Sequence, residues 1–454
     1  MLNLLQTLQN HNKRLTILID GEHYPQVNYD SIQLIKDSYS GIISGIIFLG
    51  GKEKLIIEDL EDFYGYKVIM LSDLDVDFLK AMDILKPDLV YDLSDEPVVN
   101  HRIRMKIASF CFSRCCSYMG PDFYFEYEDK YLKFSMKSLL VIGTGKRVGK
   151  TAVSSYTAGI LTENNEVVII AMGRGGPREP QVISRSDNSL IPEALLEMSN
   201  KGLHASSDYI EDALFSGVTT IGCHRCGGGF GGRFFLSNIK EGVETAEKLK
   251  PEMIIVEGSG ASVPPVKTDS NVCVVGADQK WEDIIGYMGI YRILISDLIF
   301  MTMCEEPNAT EEEINFLANQ IRKVKEDIKI VKSIFRPKPL YDISNKKVFL
   351  VITSKSRIEE KLKHYLEKQY NCRIVKISFN LADRQKLKKE LSEFKDYDVL
   401  LTELKAAAVD MVTEFAFRNN KSINYLNNVP VIIEGEKHFD NFINEFRRGK
   451  DGRK

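Results

Sequence analysis

The chain has 454 residues, 44% of them hydrophobic and 27% charged, with a formal net charge of −4. That length exceeds one ordinary core, so two or three globular domains are expected. The slight acidity argues against a nucleic-acid binder, and the lack of an apolar run of about 18 residues argues against a membrane span.

The N-terminus, Met1-Leu2-Asn3-Leu4-Leu5-Gln6, has no basic leader and no small-residue cleavage site, which points to the cytoplasm. The eight cysteines follow no disulfide-scaffold spacing, so free thiols are expected there.

Residues 1–129 read as an N-terminal α/β domain. Strands are expected at Leu15–Ile19, Gly45–Leu49, Lys67–Leu71 and Asp88–Tyr91, with helices around Tyr29–Asp37 and Asp73–Leu85. His23 follows the first strand in Asp20-Gly21-Glu22-His23-Tyr24-Pro25. It is either a ligand contact at a strand's carboxyl end or a solvated turn histidine. A basic helix begins at His101, and aromatic Gly120–Asp129 suggests a short hairpin.

Residues 130–340 read as a phosphate-loop core. An apolar strand ends in Gly143-Thr144-Gly145-Lys146-Arg147-Val148-Gly149-Lys150-Thr151, and a helix follows. Backbone N–H groups in such a turn face an anion, Lys150 neutralises the outer phosphates, and the Thr151 hydroxyl sits on Mg²⁺. Thr144 stands where the common pattern has glycine.

The next strand, Glu166–Ala171, runs into Met172-Gly173-Arg174-Gly175-Gly176-Pro177-Arg178, where two arginines can fork onto phosphate. A helix with Ser206 or Ser207 at its cap carries Asp208, Glu211 and Asp212. Glu211 and Asp212 read as a solvated helix start. Asp208 is either that or a further carboxylate near the metal.

Six of the residues from Gly222 to Gly232 are glycine, too many for a strand or helix interior. The stretch is expected to be a mobile anion-binding loop carrying Arg225 and Arg233, anchored by Phe230, Phe234 and Phe235. Cys223, His224 and Cys226 have metal-like spacing but no second pair nearby. Glu257 ends the apolar strand Met253–Val256, where phosphate-loop proteins hold Mg²⁺. Trp281–Leu294 reads as one helix, and Asp297–Met303 as a strand leading to Cys304-Glu305-Glu306-Pro307, a plausible base-binding turn.

Residues 341–454 alternate strand and helix, and either extend the central sheet or form a third lobe. The last strand is expected at Val429–Ile433, and a helix at Leu404–Asn419. Lys405 is either near the site or an exposed helix lysine. The expected architecture is α/β: a P-loop NTPase-like parallel-sheet core, a separate N-terminal α/β domain and an α/β C-terminal extension.

Lys146, Arg147, Arg174, Arg178, Arg225 and Arg233 are more cations than a nucleotide needs, so a second anionic ligand is expected. Gly143–Thr151, with Val256-Glu257-Gly258-Ser259-Gly260, is similar to the phosphate loop and Glu-Gly turn of dethiobiotin synthetase. Over more of the chain, Ile19–Pro25, Met172–Pro177, Cys223–Gly232, Val256–Gly260 and Met301–Pro307 resemble the archaeal cyclic 2,3-diphosphoglycerate synthetase family.

That resemblance implies a ligase that uses ATP and Mg²⁺ to turn 2,3-diphosphoglycerate into its cyclic phosphoanhydride, a solute accumulated by thermophilic methanogens. It implies catalytic roles for Lys150, Lys146, Arg174 and Arg225. Substrate would be held by His23, Arg174, Arg178, Arg225 and Arg233, ATP by Gly143–Thr151, and the metal by Thr151 and Glu257. Monomer and homodimer both stay open. The competing expectation is a nucleotide-gated metallochaperone or switch using Cys223, His224 and Cys226.

Overall fold

Runs of buried aliphatic residues build two large sheets. The computed structural model describes residues 13–129, 131–184, 190–353 and 356–448. They divide into two units.

The first unit holds residues 13–129 together with Lys280–Ile295 and Asn319–Asp327. Its strands are β1 (Arg14–Ile19), β2 (Ile42–Phe48), β3 (Val68–Met70), β4 (Leu89–Asp92), β5 (Ser117–Met119) and β6 (Tyr124–Phe125). They lie in the order β3-β2-β1-β4-β5-β6, parallel except for the expected final hairpin. Leu15, Ile17, Leu18 and Ile19 are fully buried, the pattern of a strand covered on both faces. Helices start where caps allow. Pro25 opens Pro25–Ser38, and the Asp73 and Asn100 carboxylate and amide oxygens cap the next two long ones. The strand order reverses between β1 and β4, where α/β sheets open a crevice.

Trp281–Leu294 is not one helix. Met288 takes a left-handed φ of +51° and splits it into Trp281–Gly286 and Gly289–Leu294. Arg292, fully buried, donates to the Met288 carbonyl at 2.9 Å and tidies the break.

The second unit contains Tyr131–Gln279, Ser296–Ala318 and residues 328–448. The short strands β7 (Leu132–Lys133) and β14 (Val266–Lys267) pair only with each other among the described residues. The large sheet starts with β8 (Lys137–Gly143), β9 (Val167–Gly173), β10 (Gln181–Ile183), β11 (Thr219–Cys226), β12 (Leu236–Ser237) and β13 (Met253–Glu257). It continues with β15 (Ser270–Gly276), β16 (Leu298–Thr302), β17 (Lys329–Pro339), β18 (Lys347–Val351), β19 (Arg373–Ser378), β20 (Val399–Glu403) and β21 (Ser422–Glu434).

From β11 through β9, β13, β8, β15 and β16 to β17 every neighbour is parallel. Their carboxyl ends therefore share one edge. β17 then pairs antiparallel with β21, and β21-β20-β18-β19 completes the sheet. The C-terminal strands thus join the central sheet through two long strands. Sequence periodicity missed β17 and gave only the end of β21, because Pro337, Pro339 and Pro430 interrupt their apolar pattern.

Two further expectations fail here. Leu404–Asn419 is a turn, a π-helical segment Ala408–Thr413 and a short helix Glu414–Arg418. Gly222 to Cys226 are strand, not loop. Gly222 is tolerated in β11 because the Tyr209 ring fills its side-chain space, 2.6 Å from where a Cβ would stand. Among the described residues no helix is long and apolar enough to cross a membrane.

Candidate active site

The site lies at the carboxyl edge of the second unit's parallel strands. The phosphate loop leaves β8 and ends at Gly149, whose φ is +93° and whose missing Cβ would strike the Phe335 ring at 2.4 Å. Glycine is required there by both backbone and space. The Thr302 hydroxyl donates to the Val148 carbonyl at 2.6 Å and steadies the loop from β16. Thr144 is buried and donates to Gln279 Oε1, which also accepts the Gly276 N–H at 3.1 Å. Gln279 is a loop support that sequence reading did not single out.

Lys150 opens the helix Lys150–Leu161, and its ammonium donates to the Gly145 carbonyl at 2.9 Å. Burial pulls its pKa down from the ordinary 10.5 to about 8, against the opposing pull of Glu257 and Asp208. Lys146 and Arg147 stand exposed on the loop.

Beside Lys150 the Thr151 hydroxyl donates to Glu257 Oε1 at 2.8 Å. Glu257 ends β13 and is buried, and its Oε2 accepts no hydrogen bond. Asp212, fully buried, accepts from the Ser155 hydroxyl at 2.7 Å through Oδ1, while its Oδ2 has no partner. Burial raises the pKa of both carboxyls, and the Glu257 charge adds to the rise at Asp212. The two buried carboxyls are close enough to share a proton, and with the neighbouring hydroxyl they form a set of hard oxygens that fits a divalent cation such as Mg²⁺ in the proton's place.

Glu211 and Asp212 therefore depart from the solvated helix start expected of them. The helix Asp208–Ser216 packs inward, and both side chains are buried. Burial pushes Glu211 up to about 7, with Lys405 opposing. Lys405 lies 3.2 Å from Glu211 Oε1. Asp208 sits over the end of β9, its Oδ2 3.7 Å from where a Cβ on Gly173 would be.

The arginines divide. Arg174 and Arg225 converge on Gly260: a Cβ there would lie 2.8 Å from Arg174 Nη2 and 3.2 Å from Arg225 Nη2. Arg225 is buried, and its guanidinium also donates to the Ser259 carbonyl at 2.9 Å and to the Gly227 carbonyl. Its Nε is buried without a hydrogen-bond partner. Burial and then Arg174 lower its pKa. Arg178 and Arg233 are exposed on the adjoining loops. Phe235 is no anchor, since it is 93% exposed.

His23 belongs to the first unit. Its Nδ1 lies 2.9 Å from Asp20 Oδ1, and the buried Asp20 also accepts the N–H groups of Glu22, His23 and Asp95. The carboxylate orients the imidazole.

The cysteine port does not assemble. Cys223 is buried in β11 against Gly242, with its thiol pushed up to about 12 by burial, whereas Cys226 is exposed. His224 Nδ1 is 2.7 Å from the Pro177 carbonyl. Among the described residues no group of three or more His, Cys, Asp or Glu side chains is arranged to hold a metal, so the pair of carboxylates with Thr151 would need phosphate oxygens or water to complete a shell. The Cys304–Pro307 turn has its Glu305 engaged by Arg336, as a two-point pair, and by Lys361.

Three family models match along the chain: the cyclic 2,3-diphosphoglycerate synthetase N-terminal domain at residues 14–126, its P-loop domain at 138–334 and its C-terminal domain at 339–429. The cyclic 2,3-diphosphoglycerate synthetase of Methanothermus fervidus is 41% identical over 93% of this chain and 94% of its own. The chain belongs to the cyclic 2,3-diphosphoglycerate synthetase family. The relative from Thermococcus kodakarensis is 43% identical over 92% of this chain and 95% of its own. A solved structure of LpxK from Aquifex aeolicus with ATP covers 70% of this chain and 90% of its own at 14% identity, with a TM-score of 0.41, too low to carry a fold comparison.

Thr151, Arg174, Asp212, Arg225 and Glu257 all fall in the family's P-loop domain. Lys405 falls in its C-terminal domain, and His23 in its N-terminal one. The family match supports the synthetase reading and lends nothing to the metallochaperone one.

Proposed function

We propose that the chain catalyses the ATP-dependent cyclisation of 2,3-diphosphoglycerate, releasing ADP and inorganic phosphate. The observation that carries this is the convergence of Arg174 and Arg225 at Gly260, beside the phosphate loop, which gives a second anion a seat next to ATP. The name of the family supplies the identity of that anion.

Each phosphomonoester carries roughly −1.5 to −2 near neutral pH. Two unit charges 4 Å apart repel by about 4 kcal/mol at an effective dielectric of 20. Bringing ATP and a diphosphate together therefore demands several cations held in place beforehand. Gly143–Thr151 would wrap the ATP phosphates, with Lys150 on the outer ones and Lys146 and Arg147 at the rim. Mg²⁺, when bound, would neutralise β- and γ-phosphate oxygens, held by Thr151 and Glu257 with Asp212 behind them.

In the first step an oxygen of one substrate phosphate attacks the γ-phosphorus. The P–O bond to ADP breaks, and the substrate phosphate gains a phosphoanhydride. In the second step an oxygen of the other substrate phosphate attacks the substrate-derived phosphorus of that anhydride. Inorganic phosphate leaves and the ring closes. Arg174 and Arg225 would hold both substrate phosphates in reach, so ring closure gains from proximity. Arg178 and Arg233 would complete the substrate contacts. The phosphates are already ionised nucleophiles, so no general base is needed.

The three parts, residues 1–129, 130–340 and 341–454, would act together as a cytoplasmic enzyme. Incubation with ATP, Mg²⁺ and 2,3-diphosphoglycerate, followed by ³¹P NMR, tests the reading. Equal amounts of cyclic product, ADP and phosphate are expected. ADP formation with another phosphorylated acid, and none with 2,3-diphosphoglycerate, would overturn it.

A further inference from the structure

The helix Asp208–Ser216 carries Asp208, Glu211 and Asp212 on one side, since residues three and four apart share a helical face. With Glu257 they crowd four carboxyls together beside the phosphate-loop helix: Asp208 acts on Lys150, Asp212 accepts from Ser155, and Glu211 acts on Asp212. Such crowding is unfavourable unless cations divide it. Lys150 is one such cation. Lys405 is another, and it comes from the far end of the sheet.

The turn that delivers Lys405 is tightly specified. It follows β20, and the Lys405 N–H donates to the Glu403 carbonyl at 2.9 Å while its own carbonyl accepts from Ala408 at 3.0 Å. Ala406 takes a left-handed φ of +48°. Leu404 and Val409 on either side are buried in the phosphate-loop core, and the Val409 N–H donates to the Ser206 hydroxyl at 3.2 Å, just ahead of the acidic helix. The turn is thus bound to the helix start at both its backbone and its lysine.

Glu403 is already satisfied. Its Oε2 accepts from the Thr353 N–H at 2.8 Å and hydroxyl at 2.7 Å, and its Oε1 accepts from Asn428 at 2.8 Å. Glu211 is not. Its Oε1 meets Lys405 at 3.2 Å, and its buried Oε2 has no hydrogen-bond partner. A glutamate in that state acts on Asp212, next to it in the sequence, and once released would be drawn to any cation that Asp212 helps to hold. The lysine side chain stays 39% exposed, but Glu211 and Glu403 leave its surroundings negative, so a polyanion is not drawn to it.

We propose that Lys405 is a positioning residue for the metal site: by holding Glu211 it fixes the face of the acidic helix on which Asp208 and Asp212 stand and keeps Glu211 from competing for the cation. The C-terminal strands thereby set the geometry of the phosphate-loop edge. This rests on the Mg²⁺ reading given above.

The test is Mn²⁺ binding to the full chain, read by electron paramagnetic resonance with a non-hydrolysable ATP analogue present. Lys405→Met is expected to weaken Mn²⁺ binding about tenfold, the usual scale for losing a support of a metal ligand. Lys405→Arg keeps the ion pair and should bind as the parent does. Glu211→Gln added to Lys405→Met removes the competitor and should restore affinity to within about threefold, which a purely structural lysine or a direct substrate ligand would not do.

Unchanged Mn²⁺ affinity in Lys405→Met overturns the proposal, as does a raised KM for 2,3-diphosphoglycerate with Mn²⁺ binding intact. A double variant as weak as the single one also overturns it. Should Lys405→Met not fold, Lys405→Gln, which can still donate to Glu211 without neutralising it, takes its place with the same expected loss, the same rescue by Glu211→Gln and the same overturning results. Parental protein that binds no Mn²⁺ takes down the metal reading and this proposal together. Parental binding with Lys405→Met unaltered takes down only the proposal.

Discussion

The Thr151 hydroxyl donates to Glu257 Oε1 at 2.8 Å, linking the first turn of the phosphate-loop helix to the end of β13. Two residues more than a hundred positions apart thus face one point. If that point is the cation site, Glu257→Gln and Thr151→Ala should each lower turnover by roughly 10- to 100-fold at limiting Mg²⁺. Excess Mg²⁺ should recover part of the loss for Thr151→Ala. Initial rates across a Mg²⁺ titration check this, and a Mg²⁺ dependence identical to the parent's would remove both residues from the site.

Lys150 sets a pH limit. Its folded-state pKa, about 8, lies below the ordinary 10.5, so the unfolded chain holds the proton more tightly. Between those values stability rises with pH, because the cost of burying the charge disappears as the lysine deprotonates. ATP capture moves the opposite way, since the neutral amine no longer attracts phosphate. The kcat/KM for ATP is expected to fall as pH passes about 8. Lys150→Ala should be nearly inactive and lack this descent in its residual rate. A flat profile to pH 10 in the parent would refute the assignment.

Gly260 is where Arg174 and Arg225 meet. Gly260→Ala places a methyl 2.8 Å from Arg174 Nη2 and 3.2 Å from Arg225 Nη2, at a φ of +62°. The guanidinium groups must spread. The KM for 2,3-diphosphoglycerate should rise about tenfold or more while ATP binding, measured by calorimetry, stays near the parent's. Equal losses for both ligands would show that the glycine serves the whole edge rather than the substrate side.

Arg225 offers a sharper contrast. Its fork spans the Ser259 and Gly227 carbonyls, which a lysine cannot reach together. Arg225→Lys is therefore expected to lose nearly as much substrate affinity as Arg225→Ala. A charged hydrogen bond of about 1.5–3 kcal/mol corresponds to roughly 10- to 100-fold. Recovery by lysine to the parental KM would reduce Arg225 to a point charge.

The thiols give an independent check on β11. Burial pushes Cys223 up to about 12, whereas Cys115 and Cys226 are exposed. In native protein at pH 8, alkylation followed by mass spectrometry should label Cys115 and Cys226 first and leave Cys223 unmodified. Rapid labelling of Cys223 would mean that β11 opens and that Gly222–Cys226 behaves as a loop after all.

Legibility followed the range of each interaction. The phosphate loop, the Glu257 strand and the alternating C-terminal elements could be read locally, because their apolar periods and turn residues lie within a few positions. Gly222 misled, since nothing nearby in sequence announces that Tyr209 fills its space. Asp212 and Glu211 looked solvated because a capped helix start with acids is usually so. Their burial depends on Ser155 and Lys405, which arrive from other parts of the chain. The same holds for Gln279, whose support of Thr144 has no local signal. Arg174 and Arg225 were recognisable as cations, but not that they would meet at Gly260.

The antiparallel pairing of β17 with β21 runs from Lys332–Glu434 to Pro339–Leu426. It makes the C-terminal strands part of one continuous backbone ladder with the phosphate-loop strands. A chain cut after residue 340 would keep the family's P-loop domain in sequence yet leave β17 as a long raw edge, its N–H and C=O groups open to any passing strand. The C-terminal part is therefore no detachable module. Insolubility of a truncated core would reflect that lost seam rather than a failure of the nucleotide site to form.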